Sequence, residues 1–253
     1  MLKNISSLFT VFAVFFTISL SAQQMNPDAA RLYNEGNDKM KAGDYNGAIT
    51  SFDQALEKEK DYRIYYQKGI ALRRANKVQD AIASLNECLK LKSDFDLAFN
   101  ALGSAYFQLG DYEKAIDNFE KVESLSKNAT LKEKVKVSLS SSYTKLGSSN
   151  MNDGNYDKAV EYLTKATTLN NYDAAYLFLA QVYNEMANYD KAIEAAESAI
   201  KYKSKISTGG PYYYMGLAYK NKGDKTKALD AFNKSKADAT YRKNAEYEIS
   251  LLK

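Results

Sequence analysis

The sequence predicts an all-α solenoid of stacked two-helix hairpins. One phrase occurs in six versions: "GDYNGAITSF" from Gly43, "ANKVQDAIASL" from Ala75, "GDYEKAIDNF" from Gly110, "GNYDKAVEYL" from Gly154, "ANYDKAIEAA" from Ala187 and "GDKTKALDAF" from Gly223. Their central alanines (Ala48, Ala81, Ala115, Ala159, Ala192, Ala228) are spaced by 33, 34, 44, 33 and 36 residues. A period near 34 with two helices per unit marks a repeat array. The chain has only two prolines, Pro27 and Pro211, so long helices are permitted almost throughout.

The first 22 residues stand apart from the array. Lys3, an apolar run from Leu8 to Leu20, and the small pair Ser21 and Ala22 have the layout of a secretory signal peptide. The run is shorter than the ~20 residues a membrane-spanning helix needs. Cleavage is expected after Ala22, with Ser21 as the alternative and an uncleaved N-terminal anchor as the competing reading. The mature chain, 23–253, is then exported, with the periplasm as the expected address, an extracellular location as an alternative, and no stable membrane span after cleavage.

Within the array, units are expected at about 29–61, 62–95, 96–128, 129–172, 173–206 and 209–240. Twelve residues before each central alanine lies a tiny residue: Gly36, Gly69, Gly103, Gly147, Ala180 or Gly216. Four residues after it lies Phe52, Leu85, Phe119, Leu163, Ala196 or Phe232. Positions three and four apart share a helical face, so each unit reads as a first helix, a turn and a second helix whose backbones approach closely. Asn26 and Pro27 suit the opening of the first helix. Gly43, Gly110, Gly154 and Gly223 fit the left-handed end of a first helix, and Asp44, Asp111, Asn155 and Asp224 fit the cap of the second.

Two stretches depart from the period. The 44-residue step implies a lengthened first helix in the fourth unit, from about Leu131 to Asn150, with Thr130 and Glu133 as a capping box; an ordered loop is the alternative. Asn128-Ala129-Thr130 also matches a glycosylation acceptor, a pattern common by chance. Gly209 and Gly210, ahead of Pro211, read as a flexible lead into the sixth unit. Ala245, Ile249 and Leu252 share a helical face, so 241–252 reads as a terminal helix covering the end of the stack.

The small–small–large spacing in six copies resembles the tetratricopeptide repeat family over about residues 29 to 240. Lys39 and Asn150 replace a large apolar residue of the family pattern. The proline common at the end of the second helix is missing, and Tyr, Phe or Leu stands for the early tryptophan. The resemblance implies a right-handed superhelix whose first helices line a concave groove for peptides or partner proteins. A second stripe on those helices, rotated from the core stripe, supplies the candidate groove: Tyr33, Asn37, Tyr66, Ile70, Arg73, Asn100, Phe107, Leu177, Gln181, Asn184, Tyr213 and Leu217. Aromatic anchors, amide groups for a ligand backbone and Arg73 for a carboxylate suit peptide binding. The competing reading is that these side chains only pack adjacent repeats. The family's peptide-tail clamp would need basic residues where Tyr33, Leu97 and Ala101 stand, with only Asn37 matching, so chaperone-tail binding is not expected.

Composition narrows the chemistry. The chain has no histidine, the commonest general base and metal ligand, and one cysteine, Cys88, at a position that other units fill with a small core residue. A Ser–Lys pair in "SLSSSYTK" falls on a helix face, and no phosphate-cradling loop or EF-hand spacing is present. No catalytic residue, metal site or cofactor is therefore expected, and the reading is non-enzymatic. The 35 basic and 31 acidic residues leave a formal net charge of +4 spread along the chain, without the basic stripe that nucleic acid requires. The expected partner is a protein or peptide. A structural subunit of an envelope or secretion assembly, contacting its partners through the convex face, is the alternative.

Overall fold

The computed structural model describes residues 25–252, so the leader reading lies outside the described residues. These form α1 (Pro27–Ala42), α2 (Tyr45–Lys58), α3 (Tyr62–Arg74), α4 (Val78–Leu91), α5 (Asp96–Leu109), α6 (Tyr112–Leu125) and α7 (Ala129–Asn152), then α8 (Tyr156–Leu169), α9 (Asp173–Glu185), α10 (Tyr189–Lys201), α11 (Gly209–Asn221), α12 (Lys225–Ser235) and α13 (Arg242–Leu251). Odd- and even-numbered helices from α1 to α12 pair as hairpins, and each hairpin packs on the next, which makes an all-α solenoid.

Local chemistry sets the turns. Asn26 accepts from the N–H groups of Asp28 and Ala29, and Pro27 follows as the first helical residue. Gly43 closes α1 at φ 80°, and the next residue, Asp44, accepts from the Gly47 N–H at 2.8 Å. Asp111 and Asp224 repeat that cap on Lys114 and Lys227 at 3.1 and 3.0 Å. Asn155 occupies the same place but makes no side-chain cap bond, so α8 is held by its packing instead.

The interior of each hairpin is a tight contact of small on large. A Cβ added at Gly103 would lie 2.6 Å from Phe119 Cε1, and one at Gly69 would lie 2.7 Å from Leu85 Cγ. Only glycine lets these backbones approach so closely. Phe52, Phe119, Phe232, Leu85 and Leu163 are among the largest fully buried side chains. Buried hydroxyls join helices without leaving polar orphans: Ser84 donates to the Tyr65 carbonyl at 2.8 Å, and Ser140 to the Ala166 carbonyl at 2.9 Å. Cys88 is buried in this core, and burial pushes its thiol up to about 12.

The departures from the repeat pattern have local solutions. Lys39 donates to Glu35 at 2.7 Å and to Ser51 at 2.9 Å in place of ring packing. Asn150 turns back to the Leu146 carbonyl at 2.9 Å. Tyr106, Tyr183 and Tyr219 are half-buried, and each lies under a lysine of its partner helix, Lys114, Lys191 or Lys227, at 5.4, 5.5 and 5.3 Å.

Three expectations are corrected. The long first helix of the fourth unit starts at Ala129, with Asn128 as its cap accepting from Leu131 N–H at 3.1 Å; Thr130 lies inside the helix. An Asn two residues upstream satisfies the same orphan donors, so the capping box is not used. The ordered-loop alternative is excluded by the same helix. Gly209 and Gly210 are not a flexible lead: both are buried in the first turn of α11. A Cβ at Gly209 would lie 2.2 Å from Asp238 Cβ, and one at Gly210 would lie 2.9 Å from the Tyr241 hydroxyl. These glycines serve close approach. The terminal helix, α13, sets Ala245 against Ala228 and Phe232, and Glu248 pairs with Lys220 at 2.6 Å.

Candidate functional site

The lengthened α7 changes the middle of the array. Val135 and Leu139 are buried against the core, while Val137 between them stays 44% exposed. Together with Ser138 and Ser141 it forms one wall of a cleft of about 600 Å³. Arg73 of α3 and Ser104, Phe107 and Gln108 of α5 contribute further lining. Phe119 of α6, Tyr172, ahead of α9, and Lys205, ahead of α11, complete it. The cleft therefore draws on the first helices of three consecutive units, on α6 and on loops of two later units.

Arg73 is half-buried, and its Nε has no acceptor. Burial, followed by the neighbouring charge of Arg74, lowers its pKa, and Tyr66 only partly opposes this. Lys205 is positioned through its backbone. Asp173, 0% exposed at the start of α9, accepts from the N–H groups of Ser204, Lys205 and Ile206 at 2.6, 2.6 and 3.1 Å. Burial alone would raise the pKa of Asp173; these N–H donors, with Ala174, outweigh it and hold the carboxyl below its usual range.

All twelve candidate groove residues are half-buried, and only Arg73 and Phe107 among them line this cleft. Phe107 also meets the Tyr112 ring at 5.3 Å. Tyr66 sits edge-on to Phe95 at 5.2 Å, and Tyr66 and Ile70 pack on the core around Leu85 and Cys88. Tyr33 tilts over Phe52 at 6.0 Å. Asn37 lines a separate cleft with Asn34, Met40 and Gln67. The Asn100 carbonyl accepts from Ser104. Asn184 donates to the carbonyls of Ala180 and Tyr214 at 2.9 and 3.0 Å, which ties α9 to α11. Leu177 lies beside Gly210, and Gln181 is on the same helix. Tyr213 and Leu217 pack on the terminal cluster around Phe232.

Val137, Ser138, Tyr172 and Lys205 were not in the sequence-level groove. The 44-residue spacing announced the extra turns of α7 but not which face they add. Among the described residues there is no cluster of three or more His, Cys, Asp or Glu suited to a metal ion, and no helix is long and apolar enough to cross a membrane.

Comparison with known proteins gives a consistent result. Profiles described as tetratricopeptide repeat match residues 33–94, 66–129, 151–205 and 212–242. The crystal structure of MamA protein superposes with a TM-score of 0.52 at 30% identity, covering 74% of this chain and 95% of that one. Among curated relatives, the small glutamine-rich tetratricopeptide repeat-containing protein 2 of Mycosarcoma maydis is 33% identical over 112 residues, covering 44% of this chain and 32% of its own length. Heat shock protein STI1 of Saccharomyces cerevisiae is 30% identical over 103 residues, covering 40% of this chain and 18% of its own. The match thus spans less than a third of either curated relative. With six stacked hairpins, five of them closed by a small-on-large contact, this fold and these matches, the chain belongs to the tetratricopeptide repeat family.

Proposed function

We propose that the chain is an exported, non-enzymatic interaction module that holds an extended peptide or partner protein against its first helices. Tetratricopeptide repeat proteins are protein-interaction scaffolds. The observation that carries the reading here is the central cleft, which α3, α5 and α7 line with aromatic, hydroxyl and cationic side chains. Such a mixture suits a peptide, whose backbone needs donors and acceptors and whose side chains need pockets. Tyr33, Asn37, Tyr66, Ile70, Asn100, Leu177, Gln181, Asn184, Tyr213 and Leu217 extend the same helical stripe beyond the cleft. The leader-like first 22 residues support export and a periplasmic address.

The test is site-specific photocrosslinking in cells. A photoreactive residue at Asn100 or Gln181, on first helices, is expected to capture a protein partner. The same residue at Lys121 or Glu161, exposed on the second helices α6 and α8, is expected to capture none. Capture only from α6 and α8 would reject the groove and favour a subunit that assembles through its convex face.

A further inference from the structure

The central cleft has a charge character that the groove reading does not require. Its two cations are Arg73, from the second unit, and Lys205, from the loop ahead of the sixth, and no carboxylate is among its lining residues. Some lysines and arginines pair with a carboxylate three or four residues away, as Lys90 does with Glu87 and Lys165 with Glu161. Arg73 and Lys205 have no ion-pair partner among the described residues. Arg73 is half-buried beside a second arginine, and its buried Nε lacks an acceptor, so an anion in the cleft would meet an unsatisfied donor. The Lys205 side chain is exposed, yet its backbone is fixed by a buried carboxylate that is itself saturated by N–H donors. The backbone of the loop that carries Lys205 is therefore held in place beside the cleft.

We propose that this cleft receives an acidic side chain of an extended peptide, the carboxylate lying between Arg73 and Lys205 and an adjacent apolar side chain resting on Phe107, Val137 and Tyr172. This deepens the groove reading and rests on it. Guanidinium and ammonium groups with hydroxyls beside them match a carboxylate, and the exposed Val137 offers the apolar neighbour a dry contact. The cleft lies mid-array, between units that continue on both sides, so a chain can pass through and present a side chain instead of its terminus. The site uses none of the positions at which the family's tail clamp places its basic residues.

The test uses the mature chain and fluorescein-labelled octapeptides of alternating glutamate and phenylalanine, blocked at both ends. Binding is read by fluorescence polarisation. The blocked glutamate peptide is expected to bind at least about tenfold more tightly than its glutamine counterpart. That advantage is expected to shrink with added salt and to vanish in the Arg73→Gln/Lys205→Gln variant. Lys205→Gln alone alters only an exposed side chain, so it reads the charge effect even if the Arg73 change disturbs folding, and a several-fold loss is expected from it. Equal binding of the two peptides, no binding by either, or unchanged affinity in Lys205→Gln would overturn the proposal. Tighter binding of a glutamine peptide with a free C-terminus would also overturn it, by assigning the cations to a chain end. None of these results depends on crosslinking from Asn100 and Gln181, so the groove can stand while the acidic ligand falls.

Discussion

The α5–α6 contact and the joint between α9 and the loop before α11 do the same job with opposite materials. In the first, Gly103 lets the Phe119 ring come up against the neighbouring backbone, a contact between the two residues that uses no hydrogen bond. In the second, the buried Asp173 gathers three backbone N–H groups from 204–206 and fixes a loop that has no apolar anchor of that size. The hairpin contact recurs because it needs only shape, and shape survives translation by one repeat. The Asp173 joint is specific to its place, because it needs donors brought together by one particular loop. The first kind of joint gives the array its strength, and the second sets where a single side chain, Lys205, is presented.

The hairpin side of this comparison carries the largest expected effect. Phe119→Ala removes a fully buried ring and is expected to cost about 3–5 kcal/mol, read by urea denaturation. Gly103→Ala alone is expected to cost about 1–3 kcal/mol, because its methyl would sit 2.6 Å from the ring. Combined, the two should cost less than their sum, since the methyl then fills part of the cavity. The chain contains this exchange already: Ala180 and Ala196, both fully buried, stand in the fifth unit where the others pair glycine with Phe or Leu. Additive costs would show that the register does not place these positions in contact.

The polar joint should be weaker and pH-dependent. Asp173→Asn is expected to cost about 2–3 kcal/mol at pH 7, the range of a few charge-assisted bonds whose donors can partly regain water. The folded-state pKa of Asp173 is depressed, so its contribution is present above the unfolded value, about 3.9, and is lost as pH falls through the folded one. The stability gap between the native chain and Asp173→Asn should therefore be constant from about pH 5 to 8 and narrow below about pH 4. A gap that persists at low pH would assign the role of Asp173 to shape.

Legibility follows the same division. Gly36, Gly69, Gly103, Gly147 and Gly216 were readable because a period near 34 repeats both the small residue and its large partner. Asp173 was not, because its acceptors' partners are backbone N–H groups about thirty residues away, and any residue type supplies those. Gly209 and Gly210 were misread because glycine marks both conformational freedom and close approach, and only the position of Asp238 and Tyr241 separates the two. The cap of α7 fell on Asn128 instead of Thr130 because either side chain can accept from a first turn, and the helix continues far enough for the earlier one to do so. In the cleft, Arg73 and Phe107 lay on a repeating stripe. Val137 and Lys205 lay on an extension and a loop, which no other unit could forecast.

The smallest expected effect tests whether the turns obey the repeat rule or a local one. Four turns place glycine at positive φ, as at Gly43 with φ 80°, while the fifth unit puts Ala187 at φ 56°. A Cβ in that region meets the following carbonyl, at a cost of about 1 kcal/mol, whereas glycine pays it only in unfolded-state entropy. Ala187→Gly is therefore expected to stabilise the chain by up to about 1 kcal/mol, and Gly43→Ala to destabilise it by about as much, although nothing lies within 4 Å of the added methyl at Gly43. Opposite signs would locate the cost in the backbone. A loss of stability in both would mean that the Ala187 methyl makes a contact worth more than its strain, and that the fifth turn is held by packing where the others are held by φ.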